Sequence, residues 1–476
     1  MKTYISSGAL ASSILVLLLT LLGCSISQRP FDNKNDIPQV SYRNDSLEDN
    51  QNNMADLPWR KFIANEELSK LIDTALAKNN DLQVAVKNIE IADELYQKAR
   101  QSILPTVSVS VNSSNSIPSE NSLNGLTASQ SLGTKDLNNY TASLGISWEA
   151  DIWGKVKNKK REALADYLKS HEAKKGIQTI LVASVGNGYY TLLMLDKQLE
   201  IAKKNLALSS RTLEIVKLQY ESAQVNSLAV EQQEAQKLFI AQLIPKIQKE
   251  INIQENALSV LIGVPPAEIA RTKTLDDITM KFDIGTGLPA ELLSHRPDVR
   301  NNELELQAAS ARIGLAKANM YPSLTIGASG GLNSLKASDW FNIPASLFGV
   351  VTGSLSQPIL NGRELKMQYN VSQIEREKSV LVFRQSILAA YGEVSNALVQ
   401  INKLEKEQEI AATRVSKLQD ATKNADMLFK NGMANYLEVI TAQSNVLGAE
   451  LQLATLKREY INASLELYRS LGGGWK

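Results

Sequence analysis

Two histidines, His171 and His295, and a single cysteine, Cys24, are the whole stock of imidazole and thiol groups in this chain of 476 residues. That inventory is too thin for a histidine-based zinc site or for general acid–base catalysis near neutral pH. One cysteine also excludes a disulfide within the chain. No phosphate-cradling glycine loop, metal-ligand cluster or nucleophile beside a base can be read along the sequence. The eight methionines, among them Met194, Met280, Met320, Met367, Met427 and Met433, are scattered and form no ladder for a soft metal ion. Lys and Arg number 51 against 50 Asp and Glu, so no net field draws the chain towards nucleic acid. What remains is covalent modification of Cys24. No enzymatic activity, no cofactor and no nucleic-acid partner are expected.

Cys24 stands at a telling place. The N-terminus, "MKTYISSGALASSILVLLLTLLGCSIS", has one lysine, Lys2, then an apolar core from Leu10 to Leu22, then a small residue. This is a secretory signal peptide, residues 1–23, too short for a comfortable membrane span. Its ending, Leu21-Leu22-Gly23-Cys24, resembles a bacterial lipobox, whose cysteine is acylated and becomes the first mature residue. Ser25 follows where an inner-membrane retention signal would have Asp, which implies sorting to the outer membrane. Several acyl chains on one residue give stable anchoring. Residues 24–56 are then the acylated N-terminus and an extended tether, since 28–56 are polar, rich in Asn and Asp and without periodicity.

The elements behind the tether come in two copies. "QKARQSILPTVSVSVNSS" (97–114) runs from a helical pattern into Pro105 and then alternates apolar with small polar residues. "KANMYPSLTIGASGG" (317–331) does the same at Pro322, an offset of 217. Farther on, "LQYESAQVNSLAVEQQEAQ" (218–236) lies over "LFKNGMANYLEVITAQSNV" (428–446) at an offset of 209. The fall in offset makes the first hairpin loop longer by about the same difference. One unit of strand hairpin plus long helical hairpin is therefore duplicated, giving a first repeat at 57–263, a linker at 264–290 and a second repeat at 291–476.

The helices carry a heptad seam. Ile401, Leu404, Gln408, Ala411, Val415, Leu418, Thr422, Ala425 and Phe429 follow a three-and-four spacing. Leu192, Leu195, Leu199, Ala202, Leu206, Ser209, Leu213, Val216 and Tyr220 repeat it in the first half. No proline interrupts Lys155 to Tyr220, and a helix of that length spans about 100 Å, too long for a compact domain. Such helices build a coiled-coil-like rod or tube.

The strands ask for partners of their own. In "YTASLGISWEAD" (140–151), Tyr140, Ala142, Leu144, Ile146 and Trp148 take one face and small or polar residues the other. From Pro322 to Gly362 the only charges are Lys336 and Asp339. Each candidate strand is long enough to cross a bilayer at a tilt, and Tyr140, Trp148, Trp153, Tyr321 and Trp340 lie near strand ends, where an aromatic girdle sits. Unpaired backbone groups are too costly in hydrocarbon for an open edge, and four strands are too few to close a barrel around a pore. Several chains must complete one barrel.

At this point the chain resembles a known family, the TolC-like outer membrane efflux proteins, on the lipoprotein branch that serves resistance-nodulation-division pumps. The stretch "LLSHRPDVRNNELELQAASARIGLAKANMYPSLTIGASGG" (292–331) follows that branch's Arg-Pro-Asp signature and its entry into a strand. "SWEADIWGKVKNKKREA" and "SLSQPILNGRE" resemble its two strand-to-helix exits, and the likeness covers residues 57 to 473. The resemblance implies a mainly α fold with a membrane β-barrel portion. Internally duplicated helical hairpins and four transmembrane strands per chain would form, in a homotrimer, a twelve-stranded barrel and a periplasmic tunnel. It implies an outer-membrane exit duct lying in lipid, anchored through Cys24 and joined by a periplasmic adaptor to an inner-membrane pump. The cargo would be drugs, toxic compounds or metal ions.

The resemblance also implies where to look for function. The gate would lie just past the second helix turn, "FKNGMANYLEVITAQ", with Glu438 in one acidic slot and Thr441 in the place of a second acid. Adaptor docking would fall on the turns, at Gly432, Asn435 and Tyr436 and at Asn226 and Ser227. Ala229 matches Glu438 in the first turn, so the two turns are chemically unequal. Arg296, Pro297 and Asp298 read as a helix start, with Pro and an acid in the first turn. Two other functions share parts of this pattern: an exporter for a type I protein secretion system, and a non-transporting trimeric stalk or adhesin. The lipobox and the Arg-Pro-Asp run favour the pump branch, and the duplication disfavours a stalk.

Overall fold

A computed structural model describes residues 54–278 and 295–476. The signal peptide, Cys24, the tether up to residue 53 and the later part of the linker lie outside the described residues. Helices α1 (Trp59–Ile63), α2 (Glu66–Lys78) and α3 (Asn80–Gln101) come first, then strands β1 (Thr106–Ser116) and β2 (Leu137–Ala150) with the short α4 (Leu123–Thr127) between them. A long hairpin follows, α5 (Lys155–Glu221) and α6 (Ser227–Leu261). The second half runs α7 (Pro297–Ala318), β3 (Ser323–Ser334), β4 (Leu347–Ser356), α8 (Glu364–Lys430) and α9 (Tyr436–Ser470). The duplication is visible in the lengths. Helices α3 and α7 have 22 residues each, α5 and α8 have 67, and α6 and α9 have 35. The loop between strands spans 117–136 in the first half and 335–346 in the second.

Chain contacts divide the protein into two compact units. One holds the strands and takes Glu90–Leu168 and Leu304–Leu381. Pro105 and Pro322 stand just before β1 and β3, where a ring without an N–H cannot continue a helix. The strands form one antiparallel sheet in the order β1-β2-β3-β4, so the central pairing joins the two repeats, with Trp148 opposite Ile326 and Ala142 opposite Leu332. Opposite residues share a face. Val107, Val109, Leu144, Ile146, Trp148, Ile326, Ala328, Val351 and Leu355 therefore line one side. Ser108, Ser110, Ser143, Ser147, Thr325, Ser329 and Thr352 line the other. The apolar side is bare: Val109 is 75% exposed and Val351 83%. Gly331 has no room for a side chain, since a Cβ there would lie 2.0 Å from the Ala142 carbonyl. Aromatic pairs mark both ends of the strands. Trp153 stacks on Tyr321 at 4.7 Å, and Tyr140 meets Trp340 at 5.7 Å.

Local chemistry sets the strand-to-helix exits. Gly154 and Gly362 take positive φ, 73° and 62°, which glycine tolerates without a Cβ clash. The Asp151 carboxylate then accepts from the N–H groups of Val156 and Lys157, at 2.8 and 3.0 Å, and so satisfies two free donors at the start of α5.

The second unit holds the described residues of 54–89, 169–303 and 382–476. Its core includes Tyr189, Tyr190, Leu192, Leu193, Phe383, Leu68 and Ile72, all fully buried. The heptad seam packs inward: none of its nine residues on α8 is exposed. On α5 the seam stops one turn early. Tyr220, the expected last member, is 49% exposed, and Val216 is the last buried one.

Candidate functional site

Both turns between long helices follow one local recipe. After α8, Gly432 takes φ 71°, its N–H donates to the Phe429 carbonyl at 3.1 Å, and the Met433 N–H reaches Leu428 at 2.8 Å. After α5, Ala223 takes φ 56°, its N–H donates to Tyr220 at 2.9 Å, and Gln224 reaches Gln219 at 2.8 Å. This is the hydrogen-bond pattern that ends a helix through one left-handed residue. An asparagine then starts each return helix. The Asn226 side chain accepts from the Ala229 N–H at 3.2 Å, and Asn435 accepts from Glu438 at 3.1 Å. Ser227 and Tyr436 are the first residues of α6 and α9.

The side chains then diverge. Val216, Ala229, Phe429 and Val439 form one buried cluster, with Val225, Ala434 and Tyr436 packed against it. Two come from each hairpin, but from different places in the repeat. Ala229 is fully buried in the cluster, while Glu438, its counterpart, is exposed. Phe429 is buried and its counterpart Tyr220 is not. The Glu438 carboxylate accepts from the Asn435 side-chain amide at 3.3 Å, and a carboxylate in the first turn is favoured by the helix dipole. Thr441, one turn on, is exposed as well. Glu438 thus has a structural task at the helix start and still presents its charge to solvent.

Above the apolar cluster lies a buried polar layer. Gln233 donates to the Ser209 carbonyl at 3.1 Å and to its hydroxyl at 3.0 Å. Gln443 donates to the Thr212 hydroxyl at 2.8 Å, and Thr422 donates to the Ala442 carbonyl at 3.2 Å. Polar groups buried in a helical seam fix its register, because any slip leaves them without partners.

Arginine networks, which residue spacing alone does not reveal, hold other parts of the helical unit. Arg296 is only 4% exposed. Its guanidinium donates to Asp298 at 2.9 and 2.6 Å, to Glu393 at 2.9 Å and to the Ser470 carbonyl at 3.0 Å. Burial opposes its charge, but Asp298 and Glu393 outweigh that and hold it above its ordinary pKa. The Arg-Pro-Asp run is thus a helix start and also a joint, ion-paired to α8 through Glu393 and hydrogen-bonded to the end of α9. Asp276 in the linker accepts from Lys197 and Lys457 at 2.9 and 2.6 Å; burial pushes its pKa up, and the two lysines bring it below the usual value. Arg271 clamps Asp196 and Glu255. His295 Nε2 lies 3.1 Å from Asp56, an ordinary polar contact. Among the described residues no group of three or more His, Cys, Asp or Glu side chains is placed to hold a metal ion.

This architecture has relatives. Probable efflux pump outer membrane protein TtgC of Pseudomonas putida is 28% identical over 424 residues, 88% of this chain and 86% of its own. Cation efflux system protein CusC of Escherichia coli is 27% identical over 466 residues, 96% of this chain and 97% of its own. The open-state MtrE outer membrane channel of Neisseria gonorrhoeae superposes with a TM-score of 0.80 at 24% identity, over 92% of this chain and 98% of that one. Residues 71–264 and 288–473 match the family described as outer membrane efflux protein, and the chain belongs to that family.

Proposed function

We infer that this protein is the outer-membrane channel of a tripartite efflux system, a passive duct whose energy comes from an inner-membrane pump. One observation carries the reading most directly. A sheet with a bare apolar face and two edges unpaired among the described residues is continued along the chain by helices duplicated to the residue in length. Such a sheet is stable in a bilayer only when copies close it into a barrel. Three chains, each giving four strands, make that barrel, and the long hairpins continue the duct. TtgC and CusC, efflux components by their names, support the same function.

The finer parts follow from the resemblance. A periplasmic adaptor docks at the turns around Gly432, Asn435 and Tyr436 and around Asn226 and Ser227. It links the duct to a pump of the resistance-nodulation-division type. Cys24 carries the lipid anchor. Glu438 carboxylates from three chains form the charged ring of the gate, with Thr441 weakening a second ring. The exposure of Glu438 beside a buried cluster supports that assignment. The test is oligomer size and bilayer conductance of the protein purified from solubilised outer membranes. A conducting trimer is expected, and a monomer without conductance overturns the reading.

A further inference from the structure

The strand-to-helix exit carries charges that the duct does not use. Lys157, Lys159, Lys160 and Arg161 open α5, all of them exposed. Among the described residues, no carboxylate lies within ion-pair distance of any of the four side chains. The nearby acids are engaged elsewhere. Glu149 holds Lys155 at 2.8 Å, Asp151 caps the helix, and Glu162 binds Arg312 at 2.9 Å. The matching exit of the second repeat adds Arg363 and Lys366, also exposed and also without an ion-pair partner among the described residues.

Geometry aims these cations to one side. Asn158 is 7% exposed and packs against α7, where a Cβ on Gly314 would lie 2.5 Å from its Oδ1. Successive residues turn by about 100° along a helix, so Lys157, Lys160 and Arg161 share one arc of about 100° to one side of that contact, with Lys160 most nearly opposite it. The same end of the sheet has its aromatic side chains fixed. Trp153 Nε1 donates to the Pro322 carbonyl at 2.8 Å, and Trp148 Nε1 donates to Ile103 at 2.8 Å. Amphipathic rings at the end of an apolar strand face mark the depth at which hydrocarbon gives way to headgroups. Helix α5 begins two residues after Trp153, and its first unpaired cation, Lys157, follows two residues later.

We propose that this basic collar binds the headgroups of anionic phospholipids, such as phosphatidylglycerol, in the leaflet at the helical end of the barrel. The proposal rests on the sheet spanning a membrane, as the channel reading requires. Unpaired cations just past an aromatic girdle meet phosphates at close range, and their long apolar stems reach along the surface while the charges stay wet. Arginine adds a planar fork suited to phosphate oxygens. The collar would fix the depth of the barrel and gather anionic lipid around it.

The test uses the full-length protein in vesicles of phosphatidylethanolamine doped with brominated phosphatidylglycerol or brominated phosphatidylcholine, read by quenching of tryptophan fluorescence. Wild type should prefer the anionic lipid at low salt, by on the order of fivefold for each engaged cation. High salt should erase the preference. The triple variant Lys157→Gln, Lys160→Gln, Arg161→Gln should lose most of it while conducting as before. Equal quenching of wild type by the two lipids overturns the proposal, and so does an undiminished preference in the triple variant. A variant with altered ion selectivity and unaltered lipid preference would place the cations in the duct, which also overturns it. A lipid preference in a protein that conducts no ions would support the collar and count against the channel alone.

Discussion

At the first hairpin tip the third residue of the return helix is Ala229, sealed inside a cluster; at the second it is Glu438, open to water. At the second tip the last seam residue of the outgoing helix is Phe429, buried; at the first it is Tyr220, half exposed. The backbones agree in turn, cap and helix length, and the surfaces do not. Duplication supplied two identical frames, and packing one against the other made them unequal. When two similar helical hairpins lie side by side, equivalent residues cannot all occupy equivalent surroundings. Each tip contributes what the other lacks: the first gives a small residue to be covered, the second the ring that covers it.

The sharpest way to break this comparison is to make the tips chemically alike. Ala229→Glu puts a carboxylate into a cluster with no cation in it, at a cost of several kcal/mol. Thermal unfolding should show a large loss, or the protein should fail to accumulate. Next comes the aromatic pair. Phe429→Ala removes a buried ring and should cost about 3–5 kcal/mol, while Tyr220→Ala should cost less than about 1 kcal/mol. Equal losses in denaturant midpoint would mean that the tips are equivalent after all. The turns give a smaller contrast of opposite sign. Gly432→Ala meets no neighbour, so only the left-handed backbone counts against it, by about 1 kcal/mol. Ala223→Gly relieves the same strain and should stabilise by about 0.5 kcal/mol or less, since glycine also gains freedom on unfolding. The smallest effect on stability belongs to Glu438→Ala, about 0.5 kcal/mol from the lost first-turn charge. Its readout is functional: single-channel conductance should rise if the three carboxylates constrict the duct, and unchanged conductance removes Glu438 from the gate.

Much of the architecture was legible because it rests on local pattern. Alternation after Pro105 and Pro322 marks β1 and β3, the three-and-four spacing marks the long helices, and the two offsets reveal the repeat together with its unequal loops. A positive φ at Gly432 follows from residue type. The exposure of Tyr220 was not legible. A seam written on one helix does not say where its partner helix ends or turns away, and Tyr220 continues the spacing without a cover. The Arg296 joint was half legible. Pro297 and Asp298 announce a helix start, but the approach of Glu393 and Ser470 depends on contacts almost a hundred residues or more distant in sequence. The basic run after Trp153 is plain in the sequence; that no carboxylate among the described residues pairs with it is a fact of three dimensions.

The central pairing of the sheet has a consequence for how the chain is made. Strand β2 finds β3 only after the whole first helical hairpin and the linker have been synthesised, because Trp148 opposes Ile326. Closing a loop of that size is slow, and until it happens the first strand hairpin shows a bare valine and leucine face with an open edge. That is the composition of a segment that sticks to its own kind. Such a nascent chain needs shielding in transit, and the interval of danger is set by translation and export rather than by the strength of any contact in the finished sheet.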